Sequence, residues 1–482
     1  MIRIKRILTA LLCAGALSLA PISQAQALSD IELRLEEQRA MTIQSNEIPD
    51  WPTGPVIGAQ SAILIELETG AVLYAKNIHE RQYPASTTKI LTALIASEQC
   101  ELDETVSFSH DAVFDTPRDS THIAMDVGQE LTMEQCLQAL LIRSANEVAY
   151  AMAEHITKST DWQVFGDVMN ERAKELGCVD SHFANPNGLP DENHYTSAYD
   201  LAMIGRAFFA NEMLCKMTIT PRFEFPATDK LPETKIENNL MQLLPGRKYA
   251  YEYLVGCKTG YTNAARSCLV ACAERNGMKL ISVVMRDEAP FQYEDTITLL
   301  DYGFANFEKV NIAQTETKYN IEDTGLFYSG NDIFGSSKPL LSLDKNDFLI
   351  LPRTISFQDL SSVVSYQTGS ENVAAVISYS YEGVSLGSVR VNFTADKSQS
   401  YAFEIPSKES EEDGSQREED ASTVFINIVQ VLGILAGGVV LLLVVLFVRL
   451  ILKNYAFSGR RSRRRRRRNR RRSFRRTKWL DD

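Results

Sequence analysis

The sequence predicts an α+β protein in which helices pack on an antiparallel sheet, followed by a small all-β domain and one C-terminal transmembrane helix. Hairpin signals flank a helix-rich region, one at Thr69-Gly70 and one at Asn276-Gly277. Helical periodicity disappears from about residue 310, where short alternating runs begin. Near the C-terminus, 424–448 is a run of 25 residues without a charge. Such a run crosses a hydrocarbon core about 30 Å thick.

The charge distribution predicts which side of a membrane each part of the chain occupies. The chain has 482 residues and a formal charge of −12. Residues 460–482 contain 14 Arg or Lys and 2 Asp, so this tail carries +12 and leaves −24 on 1–459. The positive-inside rule then places the tail in the cytoplasm and the body outside. A basic start, a short apolar run and Ala25-Gln26-Ala27 predict a cleaved signal peptide, which agrees with export of the body.

Composition divides the chain into segments. The stretch before the transmembrane run is acidic and polar, which predicts a solvated linker. The predicted segments are a signal peptide (1–27), a leader (28–50), a first compact domain (51–309), a small β domain (310–405), an acidic linker (406–422), a transmembrane helix (423–449) and an Arg-rich cytoplasmic tail (450–482). The predicted location is the cell membrane, crossed once, with the compact domains extracytoplasmic.

The elements of the first compact domain follow from local patterns. AILIELETGAVLYAKN predicts one hairpin, and Asn276-Gly277 predicts a type I′ turn in the second. Apolar residues at helical spacing predict a buried helix over 86–97. Further helices are predicted from about Thr132, from about Glu147, and in a segment that ends at Gly177.

Cysteine usage argues against a disulfide scaffold. Seven cysteines remain after the predicted signal peptide, an odd number that leaves at least one thiol unpaired. Cys268 and Cys272 lie in one predicted strand about 13 Å apart, so they cannot bridge each other. Neither the cysteine nor the histidine spacing resembles a zinc site, so we predict no metal site.

The first of three short motifs is Ser86-x-x-Lys89, at the start of the predicted buried helix. The two side chains lie one turn apart on one face, so the amine reaches the hydroxyl. A serine hydroxyl is a weak nucleophile until a base removes its proton, and a lysine in a desolvated or cation-rich pocket is such a base. Taken alone, such a pair is more often a helix cap beside a solvated lysine.

Two further motifs are weak when taken singly. Ser144 and Asn146 interrupt two apolar helical runs, where they point into a cleft or merely cap a helix connection. Lys258, Thr259 and Gly260 lie at the edge of a predicted strand. There a lysine and a threonine can hold a carboxylate, and a glycine lets a ligand backbone approach.

Together the three motifs occur in the order found in penicillin-binding proteins and β-lactamases. The chain resembles low-molecular-mass penicillin-binding proteins of the D-alanyl-D-alanine carboxypeptidase family over roughly residues 55–305. The segments that carry the resemblance are PASTTKILTALIA, LLIRSANEVAYAMAE, MNERAKELG, HFANPNGLPDENHYTSAYDLAMIGR and GCKTGYTNAARSCLVACA.

The resemblance implies a β-lactamase/D,D-peptidase-like fold for 51–309 and a serine-type D-alanyl-D-alanine carboxypeptidase activity without metal or organic cofactor. In that family Ser86 corresponds to the nucleophile, Lys89 to its general base and Ser144 to a proton relay. The residues implied to bind substrate are Asn146, Lys258, Thr259, Gly260 and Tyr261, the last through its backbone amide in an oxyanion hole shared with that of Ser86.

Two positions depart from the resemblance, which predicts aspartate where Glu147 stands and glycine where Arg266 stands. Arg266 lies beside the strand of the third motif, so we expect it to alter the fit of substrate. The Arg-rich tail is also not a feature of the family.

The resemblance implies peptidoglycan stem pentapeptides as substrates and β-lactams as inhibitors. Other expected contacts are the membrane, through 423–449, and anionic lipid headgroups, through the tail; nucleic acid is not an expected partner. Three alternatives stay open for the function. They are a D,D-endopeptidase acting on cross-links, a β-lactamase-like hydrolase and a non-catalytic cell-wall binding protein.

Overall fold

The computed structural model describes residues 30–319, 341–370 and 372–393. The predicted signal peptide, acidic linker, transmembrane helix and cytoplasmic tail all lie outside these residues, as does the start of the leader. Among the helices of the described ranges, none combines the length and the apolar character needed to cross a membrane.

The strands form two main antiparallel sheets. The first has the order β2-β1-β9-β8-β7, and the second has the order β10-β12-β15-β14-β13, with β11 paired to β15. The strands are β1 (Ser61–Glu66), β2 (Val72–Lys76), β3 (Thr105–Ser107), β4 (Glu130–Thr132), β5 (Arg222–Phe225), β6 (Lys235–Asn238), β7 (Leu254–Thr262), β8 (Arg266–Arg275), β9 (Met278–Asp287), β10 (Phe307–Asn311), β11 (Leu341–Leu343), β12 (Phe348–Pro352), β13 (Ser361–Ser365), β14 (Val373–Tyr381) and β15 (Val384–Phe393).

Most of the helices lie between β2 and β7 in the chain. They are α1 (30–39), α2 (Lys89–Gln99), α3 (His110–Phe114), α4 (Met133–Gln138), α5 (Asn146–Thr157), α6 (Trp162–Glu175), α7 (Ala198–Ala210), α8 (Glu212–Ile219), α9 (Phe291–Asn306) and α10 (Ile312–Thr315). Ala85–Thr88 forms a 3₁₀ turn before α2, and Ala139–Arg143 forms a π-helical turn after α4. The predicted type I′ turn is confirmed, because Asn276 and Gly277 both have positive φ, 53° and 73°.

The first sheet is buried on both faces, which follows from the alternation of side chains along β1. Ile63 and Ile65 belong to a core shared with α2, α5 and α7. Ala62 and Leu64 belong to the opposite core, which includes α9 and strands of the second sheet. Helices therefore cover an antiparallel sheet, and the predicted α+β class is confirmed.

The helix predicted over 86–97 is divided in the structure, since α2 begins only at Lys89. The reason is local: the hydroxyl of Thr87 donates to the Pro84 carbonyl (2.7 Å) and that of Thr88 to the Ala85 carbonyl (2.9 Å). Such side-chain bonds hold the backbone in a tighter turn. The first motif thus begins on a 3₁₀ turn that leads into the helix, not on the helix itself.

Candidate active site

Ser86 and Lys89 are in direct contact at the start of α2. The Nζ of Lys89 lies 2.9 Å from the Oγ of Ser86. The 3₁₀ turn presents the serine, which is only partly buried, while the lysine side chain is fully buried beneath it. A hydroxyl open to a ligand and an amine closed to water therefore share one hydrogen bond.

The surroundings of Lys89 favour its neutral form. Besides the Ser86 hydroxyl, its Nζ contacts the Asn146 side-chain oxygen (2.7 Å) and the Asn187 carbonyl (2.7 Å), so all three partners are uncharged. As a neutral amine, Lys89 donates its two N–H groups to these two oxygens and accepts a hydrogen bond from the Ser86 hydroxyl through its lone pair. Burial lowers the pKa of Lys89 well below its ordinary value, the nearby Lys258 cation lowers it further, and Glu147 opposes them in part. A lysine whose pKa is lowered in this way can exist as a neutral amine, the form that can accept a proton from a hydroxyl.

Ser144 and Asn146 are placed by a change of backbone conformation. The π-helical turn ends at Ser144, whose φ of 60° and ψ of 33° lie in the left-handed region. Ala145 is extended, and α5 then begins at Asn146, so the asparagine is the first residue of a helix and does not lie in a connection between two helical runs. Its side-chain oxygen is taken by Lys89, which leaves the amide nitrogen to donate to a ligand.

Lys258 connects the third motif to the second. It is buried on β7, and its Nζ donates to the Ser144 hydroxyl (3.0 Å) and to the Thr259 carbonyl (2.8 Å). Burial lowers its pKa to about 8. The neighbouring Thr259 is partly buried, and Tyr261 is exposed at the end of the strand.

Two glycines allow other segments to approach the 3₁₀ turn Ala85–Thr88 that carries Ser86, called the serine turn below. A Cβ on Gly260 would lie 2.8 Å from the Ser86 nitrogen and 2.9 Å from the Pro84 oxygen, so β7 runs directly against the turn. A Cβ on Gly188 would lie 1.8 Å from the Ala85 oxygen, and the φ of Gly188 is +85°. Close backbone approach therefore requires glycine at both positions.

The loop 185–190 and the residues after it contribute contacts that the sequence motifs do not include. The Asn187 carbonyl accepts from Lys89, and the buried imidazole of His194 lies 2.9 Å from the Thr88 hydroxyl. His194 Nδ1 accepts from the Ala184 amide (3.0 Å), so Nε2 carries the proton and donates to Thr88. A backbone carbonyl leaves no residue signature, so the contact of this loop with Lys89 could not be found from the sequence.

The two departures from the family pattern have visible partners. Arg266 pairs with the carboxylate of Glu288 through two hydrogen bonds, at 2.5 and 3.2 Å. Burial favours the neutral form of Glu288, but Arg266 and Arg34 outweigh it and lower the pKa of this carboxyl. The other departure, Glu147, is buried and accepts from the Ile123 amide (2.7 Å), which ties the segment before β4 to α5.

The structure brings the predicted residues together from three separate parts of the chain. Ser86 and Lys89 come from the serine turn and α2, Ser144 and Asn146 from the junction with α5, and 258–261 from β7. A hydroxyl beside a neutral amine, a second hydroxyl beside a second amine, and two adjacent backbone segments suit acyl transfer to and from a serine.

Comparisons with known proteins match the same region. The family model for D-alanyl-D-alanine carboxypeptidase, peptidase S11, matches residues 49–289. The D-alanyl-D-alanine carboxypeptidase DacF of Bacillus subtilis is 37% identical over 257 residues, 52% of this chain and 63% of DacF, so the match spans less than two thirds of that relative. DacB2 of Mycobacterium tuberculosis is 33% identical over 264 residues, 54% of this chain and 84% of DacB2.

Among solved structures, penicillin-binding protein 5 from Haemophilus influenzae is similar with a TM-score of 0.55 and 25% sequence identity. The match covers 72% of this chain and 99% of that one. It therefore extends beyond the region of the family model and into the second sheet.

Proposed function

Because the chain belongs to the D-alanyl-D-alanine carboxypeptidase family, we propose that it removes the terminal D-alanine from peptidoglycan stem pentapeptides through an acyl-enzyme on Ser86. The observation that carries the proposal is the 2.9 Å contact between the buried Lys89 amine and the Ser86 hydroxyl. Nucleophilic catalysis by serine needs a base in this position.

Acylation begins when the Ser86 oxygen attacks the carbonyl carbon of the D-alanyl-D-alanine bond. The hydroxyl proton passes to the neutral amine of Lys89 across their hydrogen bond. The ammonium that forms is held by the Asn146 and Asn187 oxygens. These neutral acceptors stabilise the cation without fixing the lysine in its charged form, as a carboxylate would.

The oxyanion of the tetrahedral intermediate accepts hydrogen bonds from the backbone amides of Ser86 and Tyr261. The close approach of β7 at Gly260, where a Cβ would lie 2.8 Å from the Ser86 nitrogen, supports this assignment. Two donors that share one oxygen must lie on adjacent backbone segments.

The leaving D-alanine is bound by the second and third motifs. Lys258 and Thr259 hold the terminal carboxylate, and Asn146 donates to the substrate amide. As the carbon–nitrogen bond breaks, Ser144, whose hydroxyl lies 3.0 Å from the Lys258 amine, relays the proton that Lys89 took from Ser86 to the departing amine, and Lys89 becomes neutral again. Water then attacks the acyl-enzyme and releases the shortened peptide.

A penicillin that carries a fluorescent group tests the nucleophile, because β-lactams acylate the serine of this family in place of the peptide. We expect covalent labelling of the wild type and none of Ser86→Ala. Ser107→Ala, an exposed serine on β3, is the matched control and should label as the wild type does. Equal labelling of Ser86→Ala would remove Ser86 from the mechanism.

We further propose that the domains built on the two sheets are exported and tethered through 423–449, with the Arg-rich tail in the cytoplasm and bound to anionic lipid. The support is the sequence pattern at both ends of the chain. External protease added to spheroplasts should degrade the extracytoplasmic domain and leave an epitope fused after Asp482 intact. Digestion of that epitope along with the domain would contradict this topology.

A further inference from the structure

Three side chains of different types come together at the end of α2 that lies away from Lys89. Cys100, Glu104 and His155 each offer one donor atom, and these atoms all lie within 4.8 Å of one another. The Nε2 of His155 is 2.7 Å from a carboxylate oxygen of Glu104. Thiolate, imidazole and carboxylate are the three ligand types that zinc takes from proteins.

The fold places each donor at a defined position. Cys100 is the C-cap of α2, with its amide bonded to the Ala96 carbonyl. Glu104 stands directly before β3, and its other carboxylate oxygen accepts from the Glu101 amide at 2.7 Å. His155 lies in the last turn of α5. The donors are therefore held by two helix ends and a strand start, not by a loose surface loop.

The local field favours a cation. The C-terminal ends of α2 and α5 both meet here, and each carries the partial negative charge of its helix dipole. Glu101 and Asp103 add negative charge in the same segment, while Lys158 is close enough to oppose them.

We propose that Cys100, Glu104 and His155 bind one zinc ion, with water in the fourth position. The Cys100 thiol gives its proton to solvent when the zinc–sulfur bond forms, and the imidazole of His155 changes tautomer, with its proton moving from Nε2 to Nδ1 through solvent, so that Nε2 binds the metal as a neutral ligand. The hydrogen bond between His155 and Glu104 must open from 2.7 Å to about 3.3 Å, the edge of a zinc tetrahedron with bonds of ~2.0 Å. A side-chain rotation is enough for this change, because the donors are only partly buried.

Bound zinc would connect the two helices that carry catalytic groups. Lys89 is the first residue of α2 and Asn146 the first of α5, and the two are bonded at 2.7 Å. Zinc at the opposite ends of the same helices would fix their packing from the far side. The inference does not depend on the peptidase assignment, because it uses none of the residues of the serine site.

Zinc titration of the purified full-length protein tests the proposal. The metal-free wild type should bind one equivalent, and Cys100→Ser and Glu104→Gln should each bind at least about tenfold more weakly, as expected for the loss of a direct ligand. Cys178→Ser is the matched control, since Cys178 is also partly buried and its thiol contacts the Asp200 carbonyl instead. This control should bind zinc as the wild type does.

Cobalt provides a readout that a change in folding would not imitate. Cobalt added to the wild type and to Cys178→Ser should give the absorption band of a thiolate–cobalt bond, and Cys100→Ser should lack that band while it still unfolds cooperatively. Failure of the wild type to bind zinc at micromolar concentration would overturn the proposal. Binding of zinc by Cys100→Ser and by Glu104→Gln as tight as that of the wild type would also overturn it.

Discussion

At Lys89 the protein buries an amine among oxygen acceptors that carry no charge. The partners are a hydroxyl and two amide oxygens, at 2.7 to 2.9 Å. Burial and the neighbouring Lys258 both lower its pKa, and only Glu147 opposes them among the causes that act on it. The same residue type on a solvated helix face would stay protonated and could not accept the Ser86 proton.

Lys258→Gln tests this electrostatic coupling. Removal of the Lys258 cation should raise the pKa of Lys89, so the rise of penicillin acylation with pH should move to higher pH. Loss of the proposed charged contact between Lys258 and the ligand carboxylate should also slow acylation by about 10- to 100-fold. Rates of acylation across a pH series measure both effects.

Thr259→Val is the matched control for that experiment. It removes the proposed carboxylate contact beside Lys258 but leaves the charge in place, so acylation should slow while its pH dependence stays that of the wild type. A pH profile of Lys258→Gln that superimposes on the wild type after scaling would contradict the coupling of the two lysines.

At the level of elements, the site depends on how closely β7 runs against the serine turn. The nitrogens of Ser86 and Thr87 would lie 2.8 and 2.9 Å from a Cβ on Gly260. Backbone atoms on both sides leave no flexible side chain to move aside. The glycine of the third motif is thus explained by packing, whatever ligand the site binds.

Gly260→Ala should therefore displace the turn, with a cost of about 1–3 kcal/mol in unfolding free energy and a loss of penicillin acylation of tenfold or more. Gly277→Ala is the comparison, because its φ is +73° but no atom lies within 4 Å. That variant should lose about 1 kcal/mol through backbone strain and keep full acylation. Urea unfolding and acylation rates distinguish them, and full acylation by Gly260→Ala would refute the packing argument.

The segment that follows the 185–190 loop supports the same turn through a buried neutral histidine. Burial lowers the pKa of His194 from 6.5 to about 3, and Asp191 opposes this only in part. The unfolded chain takes up a proton below about pH 6.5 and the folded protein does not. The stability that His194 contributes is therefore complete above that pH and is lost as the pH falls toward 3.

The unfolding free energy of the wild type should accordingly fall between about pH 6 and 4 more steeply than that of His194→Gln, by up to about 1.4 kcal/mol per pH unit. Urea titrations at several pH values measure the slope. His110→Asn, at an exposed histidine on α3, should keep the wild-type slope. Identical slopes for all three proteins would show that His194 is not the group responsible.

At the scale of the whole molecule, the features that depend on residue type and on the periodicity of apolar side chains could be predicted from the sequence. The Asn276-Gly277 turn, the α+β class and the family follow from local patterns and short motifs. The residues of the three motifs could be named because each motif carries its own residue types. Their roles in catalysis stay proposals that the variants above test.

Contacts between residues that are far apart along the chain could not be predicted from the sequence. The Asn187 carbonyl reaches Lys89 across 98 residues, and His194 reaches Thr88 across 106. A carbonyl has no residue identity, and a histidine in a loop more often lies on the surface. Cys100, Glu104 and His155 were missed for a related reason, since their mixed types and the separation of 51 positions between Glu104 and His155 match no spacing pattern.

Release of D-alanine from a synthetic stem pentapeptide tests the central claim most directly. The wild type should release one D-alanine per peptide and leave the tetrapeptide, Ser107→Ala should do the same, and Ser86→Ala should release none above the uncatalysed rate. Release of D-alanine by Ser86→Ala at the wild-type rate, or acylation of the wild type by penicillin without any D-alanine release, would contradict it.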